Sequence, residues 1–144
     1  MRDGFIKVAA VTPEVKVADI AFNLAEIKRR ITEAAAGGAK LIVFPELSIS
    51  AYSCRDIFFN DLLLQKSREA LLDIAAFSTD IDALIFVGLP ISRNGKLYNV
   101  AAAVNNGHIL GLVPKLNVPN YGEFYETRQF TPGFIEPTEI RIGD

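Results

Sequence analysis

Leu41–Phe44 reads Leu-Ile-Val-Phe, four apolar residues in a row closed by Pro45. Such a run, too short for a helix and unrelieved by polar residues, fits a strand buried on both faces. Ala83–Gly88 (Ala-Leu-Ile-Phe-Val-Gly) is a second. Between and before these runs the apolar period changes from strand-like to helical. Ile20, Leu24, Ile27, Ile31 and Ala34/Ala35 recur at helical spacing, with Asp19 as N-cap and Gly37-Gly38 as the stop. The opposite face pairs Glu26 with Arg30 and Arg29 with Glu33 at i,i+4. A second helix is expected over 61–78, with Leu63/Leu64, Ala70/Leu71, Ile74 and Phe77 on its core face. Phe5–Thr12 reads as a first strand ended by Pro13. Leu97–Val104 and Ile109–Val113 flank Asn105-Asn106-Gly107-His108, a hairpin signal. Glu139–Ile142 reads as a last strand, and Gly88-Leu89-Pro90 and Thr131-Pro132-Gly133 read as strand-end and turn punctuation.

The order β-α-β-α-β-β-β implies an α/β domain with helices on one face of a mixed sheet. At 144 residues the chain is one domain, with no internal repeat or linker. Fifteen basic and 17 acidic residues are interspersed, and the absence of a basic stripe argues against nucleic-acid binding. No apolar run approaches a membrane span, the N-terminus is unlike a secretory signal, and the lone Cys54 allows no internal disulfide. A cytoplasmic location is the expectation. No Cys/His cluster suggests a metal site, and no Gly-rich phosphate loop is present. His108, after the hairpin turn, is expected in solvent; Asp56, Asp61, Asp80 and Asp82 are expected to be helix-end or loop acids.

One local pattern occurs twice. An apolar strand, a proline and a charged residue follow one another at Leu41–Glu46 and again at Leu110–Lys115. Proline ends the ladder because it has no N–H to donate. Glu46 and Lys115 are thus offered at strand C-terminal edges, where sites assemble in open α/β sheets. They could serve as base and charge stabiliser, or simply form a salt bridge at a strand end. A polar loop is expected over 45–55. The stretch 114–130, expected to be irregular or briefly helical, packs aromatics and acids beside the lysine.

Phe44-Pro-Glu-Leu-Ser48 and Val113-Pro-Lys115 resemble the glutamate and lysine motifs of the nitrilase (carbon-nitrogen hydrolase) superfamily. Tyr52, Cys54-Arg-Asp-Ile-Phe58 and Pro119-Asn-Tyr-Gly-Glu-Phe-Tyr-Glu126 resemble the N-terminal glutaminase domain of bacterial glutamine-dependent NAD synthetases. The resemblance implies the N-terminal half of a nitrilase-type α-β-β-α sandwich, with residues 1–144 an incomplete glutaminase domain. It implies that Glu46 is the general base and that Lys115 stabilises the oxyanion. Glu123 would orient the lysine and substrate, and Tyr52, Tyr121 and Phe124 would line the glutamine pocket.

The family's nucleophilic cysteine lies well downstream of the lysine, so the chain as given is expected to be inactive alone. Cys54 matches a position without catalytic role, and Ala51 stands where the family frequently has glycine. The resemblance further implies glutamine as substrate, no cofactor in this portion, and ATP with Mg in a synthetase domain that is absent here. That domain would use the ammonia to amidate nicotinic acid adenine dinucleotide. The partners of the present residues would be the remainder of the nitrilase domain, the synthetase domain and, in the complete protein, further copies of itself. An apolar sheet face would then lack its cover, and the isolated chain is expected to self-associate. Two other readings stay open: a non-catalytic half-domain that binds a partner polypeptide, and a nitrilase-type amidase acting on a different amide.

Overall fold

The structure is a computed structural model and describes residues 4–143; the readings on Met1–Asp3 and Asp144 lie outside them. Five strands form one sheet in sequence order: β1 (Val8–Ala10), β2 (Leu41–Val43), β3 (Leu84–Arg93), β4 (Lys96–Asn105) and β5 (His108–Pro114). The first two pairings are parallel and the last two antiparallel, so the sheet is mixed as expected. Helices α1 (Ile20–Ala36) and α2 (Asp61–Phe77) are the crossovers that parallel pairing requires.

Each helix begins where its sequence supplies an acceptor. The Asp19 carboxylate accepts from the Phe22 N–H at 3.0 Å, and the Asn60 side chain accepts from the Leu62 N–H at 2.9 Å. Ile27 and Ile31 of α1 and Leu71 and Ile74 of α2 are fully buried against Ile42, Ile85, Val87, Val100, Ala102 and Val104 of the sheet. The expected surface pairs of α1 form, with Arg30 Nε to Glu26 at 2.8 Å and Arg29 Nη1 to Glu33 at 2.5 Å. Phe77 departs from its expected full burial: it is 36% exposed, beside the Lys28 ammonium. His108 is exposed, as expected.

Alternate strand residues face away from the helices. One row there runs through Val43, Phe86, Ala103 and Gly111, the next through Gly88, Ala101 and Val113. Val113 is 62% exposed and Val43 40%. This is the uncovered apolar face that the sequence led us to expect.

Three expectations are corrected. First, Gly88-Leu89-Pro90 is not strand-end punctuation. These residues lie inside β3 and pair with Ala101, Val100 and Asn99 of β4. The turn comes later, at Asn94-Gly95, where φ is +51° and +71°. Asn106-Gly107 repeats it at +44° and +81°, and both match the left-handed pair that a tight hairpin needs. Second, Glu139–Ile142 is not a strand. Residues 131–143 run without ladder partners, held by single contacts such as Arg93 Nη2 to Thr138 Oγ1 at 2.8 Å. A β-rich run becomes a strand only where an edge is available to it. Third, residues 45–55 are not a solvated polar loop. Leu47 and Ile49 are fully buried, Ser48 and Ser50 are buried too, and a 3-10 turn follows over Tyr52–Phe59. Among the described residues no helix is long and apolar enough to cross a membrane.

Candidate functional site

Glu46 and Lys115 leave the C-terminal ends of β2 and β5, which are not adjacent strands. They meet because two glycines let the backbone close in. A Cβ on Gly88 would stand 2.3 Å from Leu47 N and 2.9 Å from Glu46 C, so only glycine lets the Pro45–Leu47 turn lie on β3. The contact is fixed on both sides. The Gly88 N–H donates to Ser48 Oγ at 3.2 Å, and the Ile49 N–H donates to the Gly88 carbonyl at 3.1 Å. Gly133 serves Lys115 in the same way: its Cβ would meet Pro114 O at 2.8 Å, and its N–H donates to the Lys115 carbonyl at 2.8 Å. From the helix side, buried Asn23 donates to the Ile49 carbonyl at 3.0 Å, tying the loop after Glu46 to α1.

The result is a chain of contacts centred on the lysine. Lys115 Nζ donates to Glu46 Oε1 at 2.7 Å and to Glu126 Oε2 at 2.9 Å. Glu126 is 6% exposed and accepts a further bond from the Tyr52 hydroxyl at 2.5 Å. Asn99, 4% exposed on β4, donates its side-chain amide to Glu46 Oε1, and its carbonyl accepts from the Lys115 N–H at 2.8 Å. Partial burial pulls the Lys115 ammonium down, but hydrogen bonding to the two carboxylates outweighs it and holds the group above the ordinary lysine value. Burial, then the Glu126 carboxylate at its hydroxyl, pushes the Tyr52 phenol upward. At neutral pH the site therefore holds a fixed ammonium and a neutral phenol donor around two carboxyl side chains.

The candidate residues from the sequence separate into groups. Glu46, Lys115 and Tyr52 come together. The second carboxylate on the lysine is Glu126; among the described residues Glu123, expected to orient the lysine, makes no hydrogen bond to it. The 3-10 turn Glu126–Arg128, held by the Glu126 N–H on the Pro119 carbonyl at 3.2 Å, is what turns Glu126 rather than Glu123 inward. Glu123 instead joins Tyr52, Glu126 and Arg128 around an open cleft of about 940 Å³. Tyr121 and Phe124 pair edge-to-face at 5.9 Å, with Tyr121 72% exposed, and neither lines that cleft. Asp56 is more than a loop acid. It takes a two-pronged ion pair from Arg128, both arms at 2.8 Å, which joins the loops after Glu46 and Lys115.

Sequence reasoning passed over Glu126 and Asn99. The available signal for Asn99 was one amide inside the otherwise apolar stretch Leu97–Val104.

Cys54 is 1% exposed, its Sγ bonds to the Ser50 carbonyl at 3.0 Å, and burial pushes its thiol up. Such a thiol is a poor nucleophile. In the native protein Cys54 should react with a thiol-specific reagent at least about tenfold more slowly than after denaturation. Equal rates would show that it is accessible.

The loop between these groups is strained. Ala51 has φ +68° and ψ +152°, a region essentially reserved for glycine. Strain toward the upper part of the usual range, about 1–3 kcal/mol, exceeds the roughly 0.5–1 kcal/mol of added chain entropy and the buried methyl. Ala51→Gly should therefore raise unfolding stability by about 1 kcal/mol, read as a higher urea midpoint at unchanged slope.

A carboxylate held against an ammonium can serve as base and charge stabiliser for acyl transfer when the attacking atom is supplied separately. The chain is 41% identical to a glutamine-dependent NAD(+) synthetase of Mycobacterium bovis over 142 residues, 99% of this chain and 21% of that protein. It is 33% identical to one of Thermotoga maritima over 126 residues. The chain thus spans about a fifth of the length of the curated relatives it matches. Among solved structures, a glutamine-dependent NAD(+) synthetase of Cytophaga hutchinsonii superposes with TM-score 0.84 at 32% identity, over 88% of this chain and 22% of that one. An amidase of Nesterenkonia sp., 22% identical with TM-score 0.77, covers 98% of this chain and 53% of its own, and shares the fold. The sequence pattern described as Carbon-nitrogen hydrolase matches residues 7–144, and the chain belongs to that family.

Proposed function

We propose that these residues form the base- and cation-bearing part of a glutamine amidohydrolase domain in a glutamine-dependent NAD synthetase. The observation that carries the reading is the Lys115 ammonium bridging the Glu46 and Glu126 carboxylates at 2.7 and 2.9 Å. Identities of 30–41% to proteins of that name, over nine-tenths or more of the chain in several cases, favour it over an amidase of another specificity.

In this reading a cysteine outside these residues is the nucleophile. Glu46 removes its proton, and the thiolate attacks the side-chain amide carbon of glutamine, forming a C–S bond. Lys115 stabilises the negative charge that develops on the amide oxygen. Glu46 returns the proton to the nitrogen, and ammonia leaves as the tetrahedral species collapses to a thioester. Water, deprotonated by Glu46, then releases glutamate and regenerates the thiol. Glu126 and Tyr52 hold the lysine in place throughout.

The ammonia would serve ATP-dependent amidation of nicotinic acid adenine dinucleotide in a separate domain of a cytoplasmic homo-oligomer. ATP and Mg belong to that domain.

The test uses the complete gene product carrying these residues. Glu46→Ala should lower glutamine-supported NAD formation by at least about 10²-fold while free ammonia still supports it. Full glutamine-supported activity in that variant would sink the assignment. Activity lost with both nitrogen sources would show a folding defect, which Glu46→Gln then separates from loss of the base.

A further inference from the structure

We propose that Asn99 is a positioning residue for this hydrolysis: it locks one oxygen of Glu46 and the backbone of Lys115, so that Glu46 exchanges protons through its other oxygen. The inference rests on the amidohydrolase reading and assigns a task within it.

Asn99 belongs to the β4 row that continues through Ala101 and Ala103, the face turned away from the helices. Its neighbours in sequence are Tyr98 and Val100, and it is 4% exposed. An amide buried there is costly unless it is bonded, and a valine or leucine would suit the strand better. The bonds it makes are specific. Its Nδ2 donates to Glu46 Oε1, the same atom that accepts from Lys115 Nζ at 2.7 Å. Glu46 Oε2 has no hydrogen-bond partner among the described residues, so the donors divide the carboxylate into a held oxygen and an open one. The Asn99 backbone carbonyl accepts from the Lys115 N–H at 2.8 Å. One residue of a central strand therefore sets both charged groups, which come from separate strand ends.

The division suits a group that must take a proton and return it. The terminal torsion of a glutamate is soft and nearly two-fold, so a carboxylate held by one donor could swap its oxygens. Two donors on Oε1 oppose that swap and keep Oε2 available. An amide also achieves this without a second cation, leaving the carboxylate charge to draw the proton. A base misplaced by about 1 Å can lose 10²-fold in rate.

The test is steady-state glutamine hydrolysis by the complete gene product, with melting temperatures alongside. Glu46→Gln serves as the inactive reference. Asn99→Leu, close in size and without a donor, should lower kcat by about 10–100-fold with KM for glutamine within about threefold. Asn99→Asp, which sets a carboxylate against Oε1, should fall at least as far. A folded Asn99→Leu protein with kcat within twofold of wild type overturns the inference. So does a rise in KM at constant kcat, because that pattern belongs to substrate binding.

If the leucine variant does not fold, Asn99→Ser and Asn99→Ala decide. Serine keeps a hydroxyl donor and should retain several-fold more kcat than alanine. Equal values for the two would refute the positioning role. A wild type that hydrolyses no glutamine defeats the parent reading instead. An active wild type, an inactive Glu46→Gln and unimpaired Asn99 variants defeat this inference alone.

Discussion

Lys115→Ala should lower glutamine hydrolysis by the complete gene product by at least about 10²-fold, the usual cost of removing one donor from a developing oxyanion. The loss should lie mainly in kcat, because the donor matters most where charge develops. Arginine should not restore it: a planar fork cannot reproduce a point ammonium that reaches Glu46 at 2.7 Å and Glu126 at 2.9 Å. The same change should destabilise the fold. Glu126 has a 7% exposed side chain and, among the described residues, its carboxylate would keep only the Tyr52 hydroxyl as partner.

Removing one partner of a fully buried ion pair costs about 3–5 kcal/mol. Lys115 is 27% exposed and Glu46 39%, so solvent screening brings the expected cost down to about 2 kcal/mol. Its pH dependence has a definite sign. The lysine is held above its ordinary value in the folded protein, so its contribution is complete below 10.5 and is lost as the pH rises through the higher folded value. Unfolding curves of wild type and Lys115→Ala should therefore differ by a constant amount through the neutral and mildly basic range, then converge in strong base. A gap that widens there would contradict the ion-pair account.

Gly88→Ala should be the most damaging single-methyl change. The new Cβ would meet Leu47 N at 2.3 Å, Pro45 O at 2.8 Å and Glu46 C at 2.9 Å. All three are backbone atoms, so no side chain can swing aside. Forcing a methyl into a packed interior costs about 1–3 kcal/mol when side chains can adjust. Here the turn or β3 must move, and we expect about 3 kcal/mol or more. The turn carries Glu46, so whatever protein still folds should be impaired in hydrolysis beyond its loss of folded population. Normal stability with normal activity would show that β3 and the Pro45–Leu47 turn can separate freely.

These two residues also mark where the sequence speaks and where it stops. The strand-proline-charge pattern put Lys115 at a strand edge without any structure, because proline's missing N–H and the apolar run before it act locally. The helices were legible for the same reason: the spacing of Ile27 and Ile31, and the Asp19 cap, are properties of a short window. Gly88 was misread because the same Gly-Leu-Pro letters that end many strands here sit mid-strand. What fixes the glycine is a turn 41 residues earlier in the chain, from Leu47 to Gly88.

Glu126 was missed for a related reason. Glu123 and Glu126 share one aromatic, acid-rich loop, and only the 3-10 turn and the bond to the Pro119 carbonyl select between them. The false strand at Glu139–Ile142 has the right residue types, but no edge of the sheet receives it.

The central claim is that these residues supply the base and the cation while the attacking thiol comes from elsewhere. An electrophilic glutamine analogue, applied to the complete gene product and followed by intact and peptide mass, tests it most directly. The account predicts a single adduct on a cysteine outside these 144 residues, with Cys54 unmodified and labelling slowed by at least about tenfold in Glu46→Gln. An adduct on Cys54, or labelling indifferent to Glu46, would contradict it.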